Sequence, residues 1–216
     1  MIDAALRAHL AEITTELYQV GVVTPKGGNV SVRSVDVANA LWITPSAVFK
    51  GSLHPEDMTL INLEGTVIDG RFKPSMEYAF HAGLMKLRPE INAVVHSHAP
   101  YAIVWGLGEF EIPPITYEAL FVGQLPFIPW HMVGSKELAS AILDKIGQGS
   151  VPGAFLRNHG LITVGGNLRQ AADATLMVEQ TLKIMHLTNQ LGCKPFVLSG
   201  KAIEELNHLT DLRNRS

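Results

Sequence analysis

The chain has 216 residues, 47% of them apolar and 17% charged, with a formal net charge of −3. A chain of this length and apolar content buries a full core and is most simply one domain, which sets disorder aside. The acidic balance without a basic cluster excludes nucleic acid and anionic membrane surfaces as partners, and a single cysteine, Cys193, leaves neither an internal disulfide nor a cysteine metal cluster.

Leu6, Leu10, Ile13, Leu17 and Val20 recur at spacings of four and three, behind Asp3 as a candidate N-cap and ahead of Gly21. The spacing predicts an amphipathic helix, and its Asp3 and Glu12 argue against a secretory leader. Gly27-Gly28 opens Asn29 to Arg33, which alternates as a strand does, and a second strand is expected from Ala40 to Thr44, ending at Pro45. Two short extended segments flank Glu64-Gly65 as a hairpin. Lys73-Pro74-Ser75 introduces a helix with Met76, Phe80, Leu84 and Leu87 as its buried stripe; Glu77 and His81 lie one turn apart, off that stripe.

The apolar run Asn92 to Val95 is a strand leading into His96-Ser97-His98. A short segment from Pro100 to Gly106 follows, then an extended stretch from Leu125 to Trp130 and a helix from Ser135 to Ile146. Gly153 to Arg157 and Leu161 to Val164 read as strands around a tight turn at Asn158-His159-Gly160. Asn167, with Gln170 three residues on, caps a long helix from Leu168 to about Leu191. No apolar stretch reaches the ~20 residues of a membrane span. Without linkers or repeats, residues 1–216 read as one α/β domain, a central and mostly antiparallel sheet flanked by helices, with a polar C-terminal tail from about 200. The expected setting is cytoplasmic.

The chemistry concentrates in the histidines. Residues two apart on a strand share a face, so His96 and His98 leave one edge of the sheet side by side, in a chelating arrangement. His159 is pushed out of its turn by Gly160, whose φ is free to be positive. Three neutral imidazoles and the Glu77 carboxylate suit a catalytic metal site, because a coordination position remains for a reactant. Imidazole accepts zinc and also manganese, cobalt or iron. The helical zinc signature His-Glu-x-x-His is absent.

Five motifs in order, Gly27-Gly28-Asn29-Val30-Ser31, Ile43-Thr44-Pro45-Ser46, Lys73-Pro74-Ser75-Met76-Glu77, Ala93 to His98 and Asn158-His159-Gly160, resemble the class II aldolase/adducin family over most of the chain. The resemblance implies His96, His98, His159 and Glu77 as ligands of one divalent ion per subunit, zinc first. It implies Glu77 as the acid/base that leaves the metal during turnover, and Tyr117 as a proton donor reaching a neighbouring subunit's site in a homotetramer. Gly28, Asn29, Ser46, Ala47, Ser75 and Met76 fall on the family's phosphate-cradle positions. There the chain departs from the pattern: Ser46-Ala47 replaces Thr-Gly, and Ser75-Met76 replaces Ser-Ser, although a methionine donates no hydrogen bond. The implied activity is carbon–carbon lysis of a short ketose phosphate through a metal-bound enediolate. Decarboxylation of a keto acid on the same scaffold comes next, then a sugar-phosphate 4-epimerase, then a non-catalytic adducin-like scaffold.

Overall fold

A computed structural model of the chain describes residues 2–108, 110–123, 125–149 and 151–214, with side chains as far as 208. Eight strands form one sheet: β1 (Asn29–Arg33), β2 (Ala40–Ile43), β3 (Thr59–Asn62), β4 (Val67–Asp69), β5 (Ala93–Ser97), β6 (Phe127–Ile128), β7 (Gly153–Leu156) and β8 (Gly160–Gly165). Their order is β4-β3-β2-β1-β5-β8-β7-β6, antiparallel throughout except for the parallel pair β6 and β7. The helices are α1 (Ala4–Gln19), α2 (Tyr78–Leu87), α3 (Pro100–Leu107), α4 (Tyr117–Val122), α5 (Lys136–Ile142), α6 (Leu168–Gln190) and α7 (Gly200–Asn214). None of the described helices is long and apolar enough to cross a membrane.

The interior strands are buried on both faces, which is why β5 reads as a continuous apolar run rather than an alternation. One face packs Val30, Val32, Trp42, Val95 and Leu161 against α1, α3, α4 and α6. The other packs Leu41, Ile43, Val94 and Ile162 against Phe80 and Leu84 of α2 and Leu138 and Ile142 of α5. Each such side chain stabilises the fold by about 1.5–3 kcal/mol.

Several sequence expectations change on the structure. Met76 and Leu87, assigned to the buried stripe of α2, are 67% and 53% exposed. Helix α2 begins only at Tyr78, so Met76 belongs to the preceding turn and the helical period does not reach it. Gln170 bonds the amide of Gly166 rather than that of Asn167, while Asn167 caps the Gln170 amide as expected. Asp3 stands at the N-cap of α1 but makes no capping bond; its φ of 48° turns the side chain away from the helix. The carboxylate instead accepts bonds from the Trp42 indole at 2.9 Å, the Val35 and Asp36 amides at 3.1 Å and the Ser34 hydroxyl.

Asp3 thereby ties the start of α1 to β1 and β2, the strands that lead to the site. Burial opposes its ionisation, but these hydrogen bonds outweigh burial and hold the carboxyl below its ordinary 3.8. Its folded pKa is depressed, so its stabilisation is complete above the ordinary value and fades as pH falls through the folded one. Asp3→Ala is expected to cost about 3 kcal/mol, because four donors lose their acceptor. Urea unfolding at pH 7 measures this, and the gap between wild type and variant should shrink below pH 4.

Candidate metal centre

The site forms where β1, β5, β8 and α2 meet. Register places Asn29 of β1 directly opposite His96 of β5, and His96 opposite Ile162 of β8. Strand β5 is an interior strand, so the histidines emerge from its C-terminal end rather than from an edge of the sheet. His98 lies one residue beyond the strand, fixed by its amide donating to the Val22 carbonyl at 2.8 Å.

His159 arrives on the three-residue turn between β7 and β8, closed by its own amide donating to the Leu156 carbonyl. The left-handed residue of this turn is Asn158, with φ of 57°, and not Gly160 as the sequence suggested. Asparagine tolerates that conformation well. Gly160 serves close approach: a Cβ there would stand 2.2 Å from the Ser97 carbonyl and 3.2 Å from the His96 ring. The absent side chain lets β8 and β5 come together behind the histidines.

The three imidazoles converge. Their ring centroids lie 4.7, 5.1 and 5.4 Å apart, and one nitrogen from each falls within 4.8 Å of the others. His96 Nε2 is 3.2 Å from His159 Nε2 and 3.4 Å from Glu77 Oε2, and Glu77 Oε1 is 3.7 Å from His159 Nε2. Burial lowers the His96 pKa to about 3, helped by His98. Burial and His96 lower that of His159 to about 4, and burial lowers that of His98. The rings are therefore neutral at pH 7. A carbonyl only accepts, so the contact of His96 Nδ1 with the Leu161 carbonyl at 3.1 Å puts the ring proton on Nδ1. His96 Nε2 is then a bare lone pair aimed at the cluster, as a metal ligand with an oriented second nitrogen requires.

Glu77 occupies the N-cap of α2 without capping it. Among the described residues, its buried Oε1 has no hydrogen-bond partner, and neither does the buried His159 Nδ1. Its Oε2 accepts from Asn29 Nδ2 at 2.9 Å. Asn29 Oδ1 in turn accepts from His81 Nε2, which leaves His81 Nδ1 to accept the Ser31 hydroxyl proton at 2.7 Å. Burial and the neighbouring His96 hold His81 neutral. The donors run in one direction, from Ser31 through His81 and Asn29 to Glu77, and fix the carboxylate. His81 is a support for the acid/base candidate and not a fourth imidazole ligand. Three neutral imidazoles with nitrogens within 4.8 Å of one another, beside a carboxylate with an unpartnered oxygen, fit a divalent cation.

A cavity of about 260 Å³ opens on this cluster. It is lined by Glu77, His98 and His159 and by all six predicted substrate residues, Gly28, Asn29, Ser46, Ala47, Ser75 and Met76. The backbone of Ala47 keeps a left-handed φ of 57°, the conformation a glycine would adopt freely. The amides of Ser46 and Ser75 are committed elsewhere, to the carbonyls of Lys73 at 3.0 Å and Thr44 at 3.2 Å, which hold the two loops together. The Asn29 side chain bonds Glu77 and His81, which leaves one N–H of its amide group for another acceptor. Tyr117, in the first turn of α4, is 44% exposed and does not line the cavity of its own chain. Three lining residues escaped the sequence reading, Lys26, Lys50 and Val133. Nothing local marks Lys50, because the burial that makes it unusual is a property of the fold.

Gly27 packs on the His98 ring: a Cβ there would lie 2.5 Å from Nδ1. Gly27→Ala is expected to displace the ring and weaken zinc binding about 10- to 100-fold, in the range of a disturbed ligand support. Competition against a chromophoric chelator measures it, with the melting temperature little changed.

An α/β fold that gathers three imidazoles and a carboxylate at one cavity defines the class as a candidate metalloenzyme. The chain belongs to the class II aldolase and adducin family: residues 8–186 match the family described as Class II Aldolase and Adducin N-terminal domain. It is 31% identical to a 3-oxo-tetronate 4-phosphate decarboxylase of Haemophilus influenzae, across 100% of this chain and 99% of that protein. It is 30% identical to a 5-deoxy-D-ribulose 1-phosphate aldolase of Bacillus thuringiensis serovar kurstaki, with 93% and 92% covered. Among solved structures, an L-fuculose 1-phosphate aldolase superposes with a TM-score of 0.85 at 25% identity, covering 98% of each chain.

Proposed function

We propose that this protein is a divalent-metal-dependent lyase that cleaves a carbon–carbon bond beside the carbonyl of a short ketose phosphate, with zinc as its ion. The observation that carries the reading is the convergence of three neutral imidazoles and Glu77 on one point at the wall of a cavity. His96, His98 and His159 would hold the ion, and Glu77 would complete the set in the absence of substrate. A bound divalent ion polarises a carbonyl and stabilises negative charge on the oxygen beside it.

The chain's own residues then handle the protons. In the condensation direction the Glu77 carboxylate takes a proton from the carbon next to the carbonyl. Asn29, held by His81, keeps Oε2 of that carboxylate in place and leaves Oε1 available. The partner subunit's Tyr117 supplies a proton to the new hydroxyl, and cleavage runs both transfers in reverse. This role requires an assembly, for which a homotetramer is proposed. The exposed apolar side chains Val104, Leu107, Trp130, Met132 and Val133 favour association of copies.

Decarboxylation of a keto-acid phosphate is the second reading, favoured by the full-length match to the decarboxylase. A panel of short ketose phosphates and 3-keto acid phosphates, assayed with and without chelator, separates the two. Aldehyde release that chelation abolishes supports the aldolase; carbon dioxide without aldehyde supports the decarboxylase; neither product from any compound refutes the lyase.

A further inference from the structure

We propose that Lys50, with Lys26 beside it, is the anion-recognition residue of this cavity and binds the phosphate group of the substrate. Lys50 begins a short 3-10 turn (Lys50–Ser52) and is 1% exposed, among the largest fully buried side chains of the protein. Its ammonium donates to the Pro45 carbonyl at the turn that carries Ser46 and Ala47. Among the described residues no carboxylate pairs with it. Burial alone accounts for its pKa falling to about 8, and no neighbouring anion offsets that burial. An uncompensated buried cation is costly, so a protein keeps one where a ligand supplies the missing charge.

The position of Lys50 matches that need. It lines the cavity that holds Glu77, His98 and His159, so an anion bound to it belongs to the molecule that meets the cluster. Its backbone amide donates to the Pro25 carbonyl at 3.0 Å, which brings it next to the exposed Lys26, a second cation of the same lining. The Ser46 and Ser75 amides bond neighbouring loops, and the Met76 side chain has no donor, so the cavity's remaining donors are neutral hydroxyls and amides and its cations are the two lysines. A dianionic phosphate suits two ammonium groups better than a single carboxylate does, because charge-assisted hydrogen bonds add over its oxygens. The inference deepens the lyase reading by naming what holds the substrate's charged end. Its test needs no turnover.

Inorganic phosphate is titrated calorimetrically into wild type, Lys50→Met, Lys50→Gln, Lys50→Arg and Lys26→Met, metal-free and zinc-loaded, with zinc titrated in parallel. Loss of phosphate affinity by at least about tenfold in Lys50→Met and Lys50→Gln is expected, with zinc affinity unchanged. Lys50→Arg should stay within a few-fold of wild type, and Lys26→Met should lose a few-fold. Lys50→Gln retains a donor for the Pro45 carbonyl, so it decides the matter if Lys50→Met does not fold. Wild-type affinity in the neutral variants overturns the proposal. So does the absence of phosphate binding by wild type, or acetate binding with the same lysine dependence in its place. Failure of wild type to take up zinc would strike the lyase reading and leave the phosphate titration to stand by itself.

Discussion

Glu77→Gln is expected to keep the metal ion and lose turnover by about 10²- to 10⁴-fold, the range for removing a positioned acid/base. The amide conserves the size of the side chain and one acceptor oxygen, so the bond from Asn29 Nδ2 can persist. Three imidazoles remain to hold the ion. What disappears is the oxygen proposed to accept the proton, Oε1, which has no hydrogen-bond partner among the described residues. The loss should therefore fall on kcat, with substrate affinity changed little. Zinc stoichiometry and single-turnover kinetics on one preparation measure both. Wild-type kcat in the variant would remove Glu77 from the mechanism.

His96→Ala acts on the other half of the site and is expected to be more severe. His96 is the buried ring of the three, and its Nε2 lies within 3.4 Å of both His159 and Glu77. Its proton is fixed on Nδ1 by the Leu161 carbonyl. Removing it takes away one of the three proposed ligands and leaves a void against Phe80, whose ring lies 6.0 Å from the imidazole. Metal affinity should fall on the order of 10³-fold and turnover should reach background, with about 2 kcal/mol lost from the fold. His81→Ala provides the contrast. It should retain zinc with near-normal affinity but lower kcat, because its contact is with Asn29 and Ser31 rather than with the ion. Equal zinc loss in the two variants would contradict the division of labour between ligand and support.

Much of this site was legible in the amino-acid sequence, for physical reasons. His96 and His98 lie at the end of an unmistakable strand, so its period of two was enough to bring that pair together, whereas Glu77, at the N-cap of α2, meets His81 only through Asn29 of β1. The five motifs supplied the long-range convergence, which no local period encodes. Misreadings occurred where a side chain had two chemically reasonable uses. Asp3 is a good N-cap residue, yet the Trp42 indole and the Ser34 hydroxyl claim its carboxylate. Gly160 could supply a positive φ, but Asn158 takes it, and the glycine answers instead to the nearness of Ser97. Asn29 reads as part of an anion cradle and does line the cavity, but nothing in the sequence signals that its amide group also links His81 to Glu77. Lys50 carried no signal, since a lysine in a turn is ordinarily solvated.

The account rests on three histidines, distant in the chain, sharing one cation. X-ray absorption at the zinc edge of the loaded protein tests that most directly. Three imidazole nitrogens at about 2.0–2.1 Å are expected, with oxygen completing the shell. In His96→Ala the imidazole count should fall to two or the signal should vanish. A wild-type spectrum with one imidazole or none, or a protein that takes up no zinc, would contradict the account.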